Sequence, residues 1–167
     1  RRPRGMHFSH DRSEFYVGCA DDNQIAIYAT ATGDLIGRIV NVEEPETFDL
    51  SPDGKTLYVS NEEDATVSFV DVESRSVFDD VELGEEPEGV LLTRDGSIVY
   101  VASEANNFVH VIDTASAEII ADILVDPEGA LERRNHWEKT SHALLVGTIL
   151  HVLYAEEEKT LARVATF

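Results

Sequence analysis

One cysteine, Cys19, stands in the whole chain, so no internal disulfide can staple the fold and no thiolate cage can hold zinc. Basic residues are also scarce: 13 Lys and Arg face 33 Asp and Glu, a formal net charge of −20 over 167 residues. A phosphate backbone is held by Lys and Arg that displace its counterions, so nucleic acid and anionic membrane are poor partners and a cationic protein, ligand or metal ion fits better. No apolar run approaches the roughly 20 residues that cross a bilayer as a helix. Arg1-Arg2-Pro3-Arg4 is not followed by the apolar stretch of a signal peptide. The polypeptide reads as soluble, without membrane insertion, and most of its acid reads as solvation of the surface. With 43% hydrophobic residues it can still bury a sizeable core.

What the chain has in abundance is repetition. Pro3, Pro45 and Pro87 recur at a strict interval of 42 residues. The same interval relates Asp11, Asp53 and Asp95, Tyr16, Tyr58 and Tyr100, Val17, Val59 and Val101, and Ile27, Phe69 and Val111. Residues 45–86 show the unit most clearly. Pro45 to Leu50 alternates, Ser51-Pro52-Asp53-Gly54 is turn chemistry, and Thr56 to Ser60 is a β-rich run. A polar turn, Asn61 to Ala65, precedes the run Thr66 to Val72, and Ser76 to Leu83 closes the unit before Gly84. Alternation puts Val67, Phe69 and Asp71 on one face and Ser68, Val70 and Val72 on the other. Two partly apolar faces suit a sheet stacked between neighbours.

Four short strands in about 42 residues make a propeller blade, and no stretch carries the sustained three-and-four spacing of a helical repeat. The expected fold is therefore all-β: three four-stranded β-propeller blades, residues 3–44, 45–86 and 87–126, in an incomplete ring. Asp95-Gly96 preserves the turn, whereas Asp11-Arg12 replaces its glycine and predicts a weaker first turn. Because the chain opens inside a repeat, an upstream part carrying an export signal is expected. Three blades leave two unpaired ends, so the chain is also expected to associate, as a homo-oligomer completing the ring, or to aggregate as a truncated fragment without independent function.

After Asp126 the template stops. Pro127-Glu128-Gly129 echoes Pro87-Glu88-Gly89, but no Asp-Gly turn follows. Residues 127–167 carry five basic and six acidic residues, which leaves −19 of the charge on the first 126. This tail reads as a degenerate fourth blade, a separate β unit or a foreign segment, with strands at 143–146, 148–154 and 160–166. Its Trp137, Gly147 and Ile149 to Leu153 resemble the strand region of BrnT-type ribonuclease toxins, without the amino-terminal half that their activity is expected to need.

Leu57-Tyr58-Val59-Ser60-Asn61, after Ser51-Pro52-Asp53-Gly54-Lys55, resembles the Tyr-Val-Thr-Asn family of β-propeller repeats. The likeness extends through Arg2-Pro3-Arg4-Gly5, Glu44-Pro45-Glu46, Glu86-Pro87-Glu88-Gly89 and Val109 to Asp113, over residues 2–126. It is greatest to propellers associated with pyrroloquinoline quinone-dependent alcohol catabolism in bacteria. That resemblance implies a periplasmic or secreted protein and a role accessory to quinone-dependent alcohol oxidation.

Nothing in the sequence converges on catalysis. His7, His10, His110, His136, His142 and His151 match no compact metal motif. Asp21-Asp22, Glu62-Glu63-Asp64 and Asp79-Asp80 lack the Asp-x-Asp-x-Asp-Gly loop of a calcium site and read as solvated turns. Neither a Gly-x-Ser-x-Gly elbow nor a glycine-rich phosphate loop occurs, Cys19 reads as a packing residue, and the repeated tyrosines read as structural. No catalytic residue, metal or cofactor is therefore assigned. The leading expectation is a non-catalytic scaffold binding a protein or small ligand through the loops that vary between repeats. These loops offer Asp21, Asp22 and Asn23, then Glu62, Glu63 and Asp64, then Glu104, Asn106 and Asn107. The alternative is a propeller hydrolase or lactonase using an acid and a metal-bound water at the channel.

Overall fold

The computed structural model describes residues 2–125. The expectations for residues 127–167, including the three tail strands and His136, His142 and His151, lie outside the described residues.

Among the described residues, twelve strands form three antiparallel four-stranded meanders. The first blade comprises β1 (Pro3–Phe8), β2 (Glu14–Cys19), β3 (Gln24–Ala29) and β4 (Leu35–Val40). The second comprises β5 (Pro45–Leu50), β6 (Thr56–Asn61), β7 (Thr66–Asp71) and β8 (Ser76–Glu82). The third comprises β9 (Pro87–Leu92), β10 (Ile98–Ser103), β11 (Phe108–Asp113) and β12 (Glu118–Leu124). Each blade opens on its proline, where a missing N–H is tolerated at a strand start, and register slips beside it in all three. A second slip recurs between the third and fourth strands, after Ile27, Phe69 and Val111. The repeat thus extends to its irregularities.

The first strands β1, β5 and β9 lie side by side, and the blades splay outward from them. Their faces meet in two apolar layers. Tyr16, Ile25, Ile27 and Ile39 of the first blade pack on Phe48, Leu50, Leu57, Val59 and Val70 of the second. Tyr58, Val67, Phe69 and Val81 pack on Val99, Val101 and Ile112 of the third. The alternation read from Val67 to Val72 is borne out, since Val67 and Phe69 face one neighbour and Val70 the other. Asp79 and Asp80 are not in a turn. They lie within β8, where Asp80 accepts a hydrogen bond from Ser68 Oγ at 2.6 Å, because the cross-strand register sets these two residues opposite each other.

The first turn of each blade is built on its Asp. Ser9, Ser51 and Thr93 hydroxyls donate to Asp11, Asp53 and Asp95, and the backbone N–H of Ser13, Lys55 and Ser97 donates to the same carboxylates. These bonds favour the charged form and hold the Asp11 carboxyl down at about 2. Each turn then needs a left-handed residue, supplied by Gly54 and Gly96 but by Arg12 at φ 58° in the first blade. That turn forms despite its Cβ, at a conformational cost of about 1 kcal/mol.

Candidate functional site

The second turn of each blade is tied to the start of its own inner strand by one recurring backbone bond. Ala20 N–H donates to Arg2, Glu62 to Glu44 and Glu104 to Glu86, at 3.2, 3.2 and 2.9 Å. Arg2, Glu44 and Glu86 sit at φ 49°, 46° and 54°, so the chain turns sharply just before each proline. Geometry therefore gathers the variable loops and the inner-strand starts on one rim. The Asp turns occupy the opposite rim, where His10 Nε2 meets Ser51 O at 2.8 Å across blades.

Charge on the variable-loop rim is not scattered. Arg2 pairs with Glu44 and lies 3.4 Å from Asp21, while Arg4 Nε lies 2.9 Å from Glu46 and its terminal nitrogen 3.9 Å from Glu62. Glu46 is only 5% exposed. Burial first, then a hydrogen bond shared with Glu62, pushes its carboxyl up to about 7 against the pull of Arg4. Glu88, its counterpart in the third blade, is raised by burial and by the neighbouring charge of Glu104. One carboxylate oxygen from each of Glu44, Glu46 and Glu62 falls within 4.8 Å of the others. Three such ligands could hold a cation in principle, yet two guanidinium groups already neutralise them.

The loop residues expected to make contacts divide accordingly. Asp21, Glu62 and Glu104 reach the charged rim. Asp22, Glu63, Asp64 and Asn107 stay exposed on the turns. Asn23 is committed to the fold: its amide donates to Glu43 and its carbonyl accepts from the Glu44 N–H at 3.1 Å. Asn106 packs against Gly84 in the connection between blades. Arg2, Arg4, Glu44, Glu46 and Glu88 escaped the loop-based reading because they lie immediately before or at the start of an inner strand. Their signal was in the alignment of repeats: Arg2-Pro3-Arg4 stands where the other blades have Glu44-Pro45-Glu46 and Glu86-Pro87-Glu88.

Of the histidines, His7 Nε2 lies 3.3 Å from Asp49, and buried His110 bonds Asp122 at 2.6 Å. Tyr16 and Tyr58 are buried, and burial raises both hydroxyls. Tyr58 packs edge-on against Phe69 at 4.8 Å.

No protein-family model matches the chain. Over 42 residues, 24% of its length, it is 60% identical to a conjugal transfer protein TraG from Escherichia coli, of which this covers 6%. The hydrazine synthase of Kuenenia stuttgartiensis is similar in structure, with a TM-score of 0.70 at 28% identity over 74% of this chain and 36% of that one. That protein contains a β-propeller, and its likeness to the three four-stranded sheets establishes a propeller-like fold. The chain spans about a third of the solved structure and a small fraction of the curated relative.

Proposed function

We propose that this chain is a non-catalytic binding scaffold whose contact surface is the acidic rim, and that its ligand is a cationic protein or small molecule. The observation that carries the reading is the convergence of Asp21, Glu44, Glu46, Glu62, Glu88 and Glu104 from three blades, with Arg2 and Arg4 the two cations at this rim among the described residues. A rigid sheet frame holds these carboxylates in place, so little ordering entropy is lost when a cation docks. The family resemblance adds a periplasmic or secreted setting and a role beside quinone-dependent alcohol oxidation. The likeness to hydrazine synthase supports the fold of this reading and not that enzyme's activity.

The test is fluorescence anisotropy of a labelled oligolysine peptide, with a scrambled neutral peptide as control. The triple variant Glu62→Gln/Glu88→Gln/Glu104→Gln is expected to weaken binding at least about tenfold at low salt. Unchanged binding would place the contact surface elsewhere.

A second reading, hydrolysis assisted by a metal-bound water, draws on the Glu44, Glu46 and Glu62 cluster and on a Glu46 carboxyl near neutrality. It requires a cation to displace Arg2 and Arg4. Stoichiometric divalent metal together with lactone turnover would favour it over the scaffold.

A further inference from the structure

Asn61, at the end of β6, is buried beside the acidic rim at 2% exposure. Its neighbours fix which way its amide points. Ser68 Oγ gives its only proton to Asp80, so it can only accept from Asn61, and the Asn61 atom 2.6 Å from it is Nδ2. The same Nδ2 donates to Thr66 Oγ1 at 2.9 Å. Both partners stand on β7, so Oδ1 is turned the other way, towards β5. There Asn61 lies opposite Pro45, the residue between Glu44 and Glu46. Asn61 Oδ1 is sealed from solvent and receives no hydrogen bond among the described residues.

It has company. Glu46 Oε1 and Glu62 Oε2 are likewise sealed, and apart from a proton these two carboxylates share, no group among the described residues donates to them in hydrogen-bonding geometry. Arg4 approaches both, at 2.9 and 3.9 Å, and satisfies neither. Leu57, Val59 and Asn61 alternate onto the face that the first blade covers, and Glu46, reached by Arg4 of that blade, opens onto the same face. A shared proton would serve the carboxylates and leave Asn61 Oδ1 without a partner, whereas a cation serves all of them. Charge points the same way. When ionised, Asp21, Glu44, Glu46 and Glu62 face only Arg2 and Arg4 among the described residues, which leaves the charge of one divalent cation unmatched.

The donors select the ion. One carboxylate oxygen from each of Glu44, Glu46 and Glu62 lies within 4.8 Å of the others, a span that one ion bound at about 2.4 Å bridges. All the donors are oxygens, which suits a hard cation and not zinc or copper. They are held by strand ends of a rigid sheet, with Glu44 and Glu62 half-buried and within reach of water. The irregular shell of calcium fits such ligands better than the near-ideal octahedron that magnesium demands. Only the second blade has the full set, since Cys19 and Ser103 stand at the place of Asn61 in the other two.

We propose that Glu44, Glu46, Glu62 and the Oδ1 of Asn61 bind one calcium ion at the rim between the first and second blades, with water completing its shell. Arg4 is partly exposed and swings its guanidinium outward to admit the ion. Metal-assisted hydrolysis would need this site, but the site does not need that activity. Nor does it rest on the docking of a cationic ligand: oligolysine binding reports on the rim and calcium binding on this cluster, so either can fail alone.

The test is isothermal titration of calcium into the 167-residue chain, freed of metal by chelator, at pH 8 in about 0.15 M salt, where exposed charge is screened. One ion per chain is expected, with Kd on the order of 10⁻⁴ M and weaker binding of magnesium. Glu44→Gln, Glu46→Gln and Asn61→Ser should each weaken binding at least about tenfold. Glu63→Gln removes the same charge from an exposed turn and should leave binding unchanged. Calcium should raise the Tm of the wild type and not that of Glu46→Gln. Circular dichroism checks the fold of each variant, and Glu44→Gln, at the half-buried rim, decides the matter should Asn61→Ser unfold. A chain that takes up no stoichiometric calcium, its sealed oxygens then served by a proton or water, overturns the proposal. So does binding that Glu63→Gln weakens as much as Glu46→Gln, or that Glu44→Gln and a folded Asn61→Ser leave intact.

Discussion

Glu46→Gln should make the protein more stable at pH 8 and change it little near pH 4.5. The side chain is 5% exposed, shares a hydrogen bond with Glu62, and has its carboxyl raised from 4.5 to about 7. Between those values the folded state holds a proton that the unfolded chain has released, so stability falls as pH rises through this window. The favourable contribution is fully present below 4.5 and lost above about 7. Complete ionisation of such a group costs the fold roughly 3 kcal/mol. Glutamine keeps the shape and stays neutral, and Arg4 retains Glu62 as a counterion. Because the raised value is shared with Glu62, the single substitution should recover roughly 1–3 kcal/mol at pH 8, or about 4–10 °C in Tm. Thermal melts followed by far-ultraviolet circular dichroism at pH 8 and 4.5 read both values. A variant no more stable than wild type at pH 8, or a gap that widens on acidification, would mean that the ionised pair with Arg4 outweighs burial and would refute this account.

Two further substitutions probe the backbone. Arg12→Gly removes a left-handed side-chain penalty at the one Asp turn that lacks glycine and should raise stability by about 1 kcal/mol in denaturant titrations. Gly5→Ala forces a methyl against the β5 backbone and should lower stability by about 1–3 kcal/mol. Among the described residues a methyl at Gly89 meets only that of Ala102, at 3.4 Å, so Gly89→Ala should change stability by no more than about 0.5 kcal/mol. Equal losses at the two glycines would show that the close approach of inner strands is not what constrains Gly5.

The blades were legible because repetition samples the same physics three times. A single Ser51-Pro52-Asp53-Gly54 turn is a weak local signal, but Asp11, Asp53 and Asp95 at one interval bind the same neighbouring groups in every blade. Strand alternation in turn predicted the separate faces of Phe69 and Val70. At Asp79-Asp80 the β run Ser76 to Leu83 was read correctly, whereas the reading of the paired carboxylates as a solvated turn failed, because cross-strand register keeps both in β8. The loop-based reading also missed Arg2, Arg4, Glu44, Glu46 and Glu88 of the charged rim, since residues at the start of a strand carry no loop signature.

The sequence by itself determined the unit, its threefold recurrence among the described residues, and its turn chemistry, because these depend on contacts within about 40 residues. Tertiary structure alone decided which surfaces meet. Side-by-side packing of β1, β5 and β9 brings Arg4 to Glu46 and Glu62, buries Phe48 while Met6 at the equivalent place is exposed, and closes the gap at Gly5. Equivalent residues in a repeat share a local conformation, but their burial and charge environment belong to the neighbour that covers them.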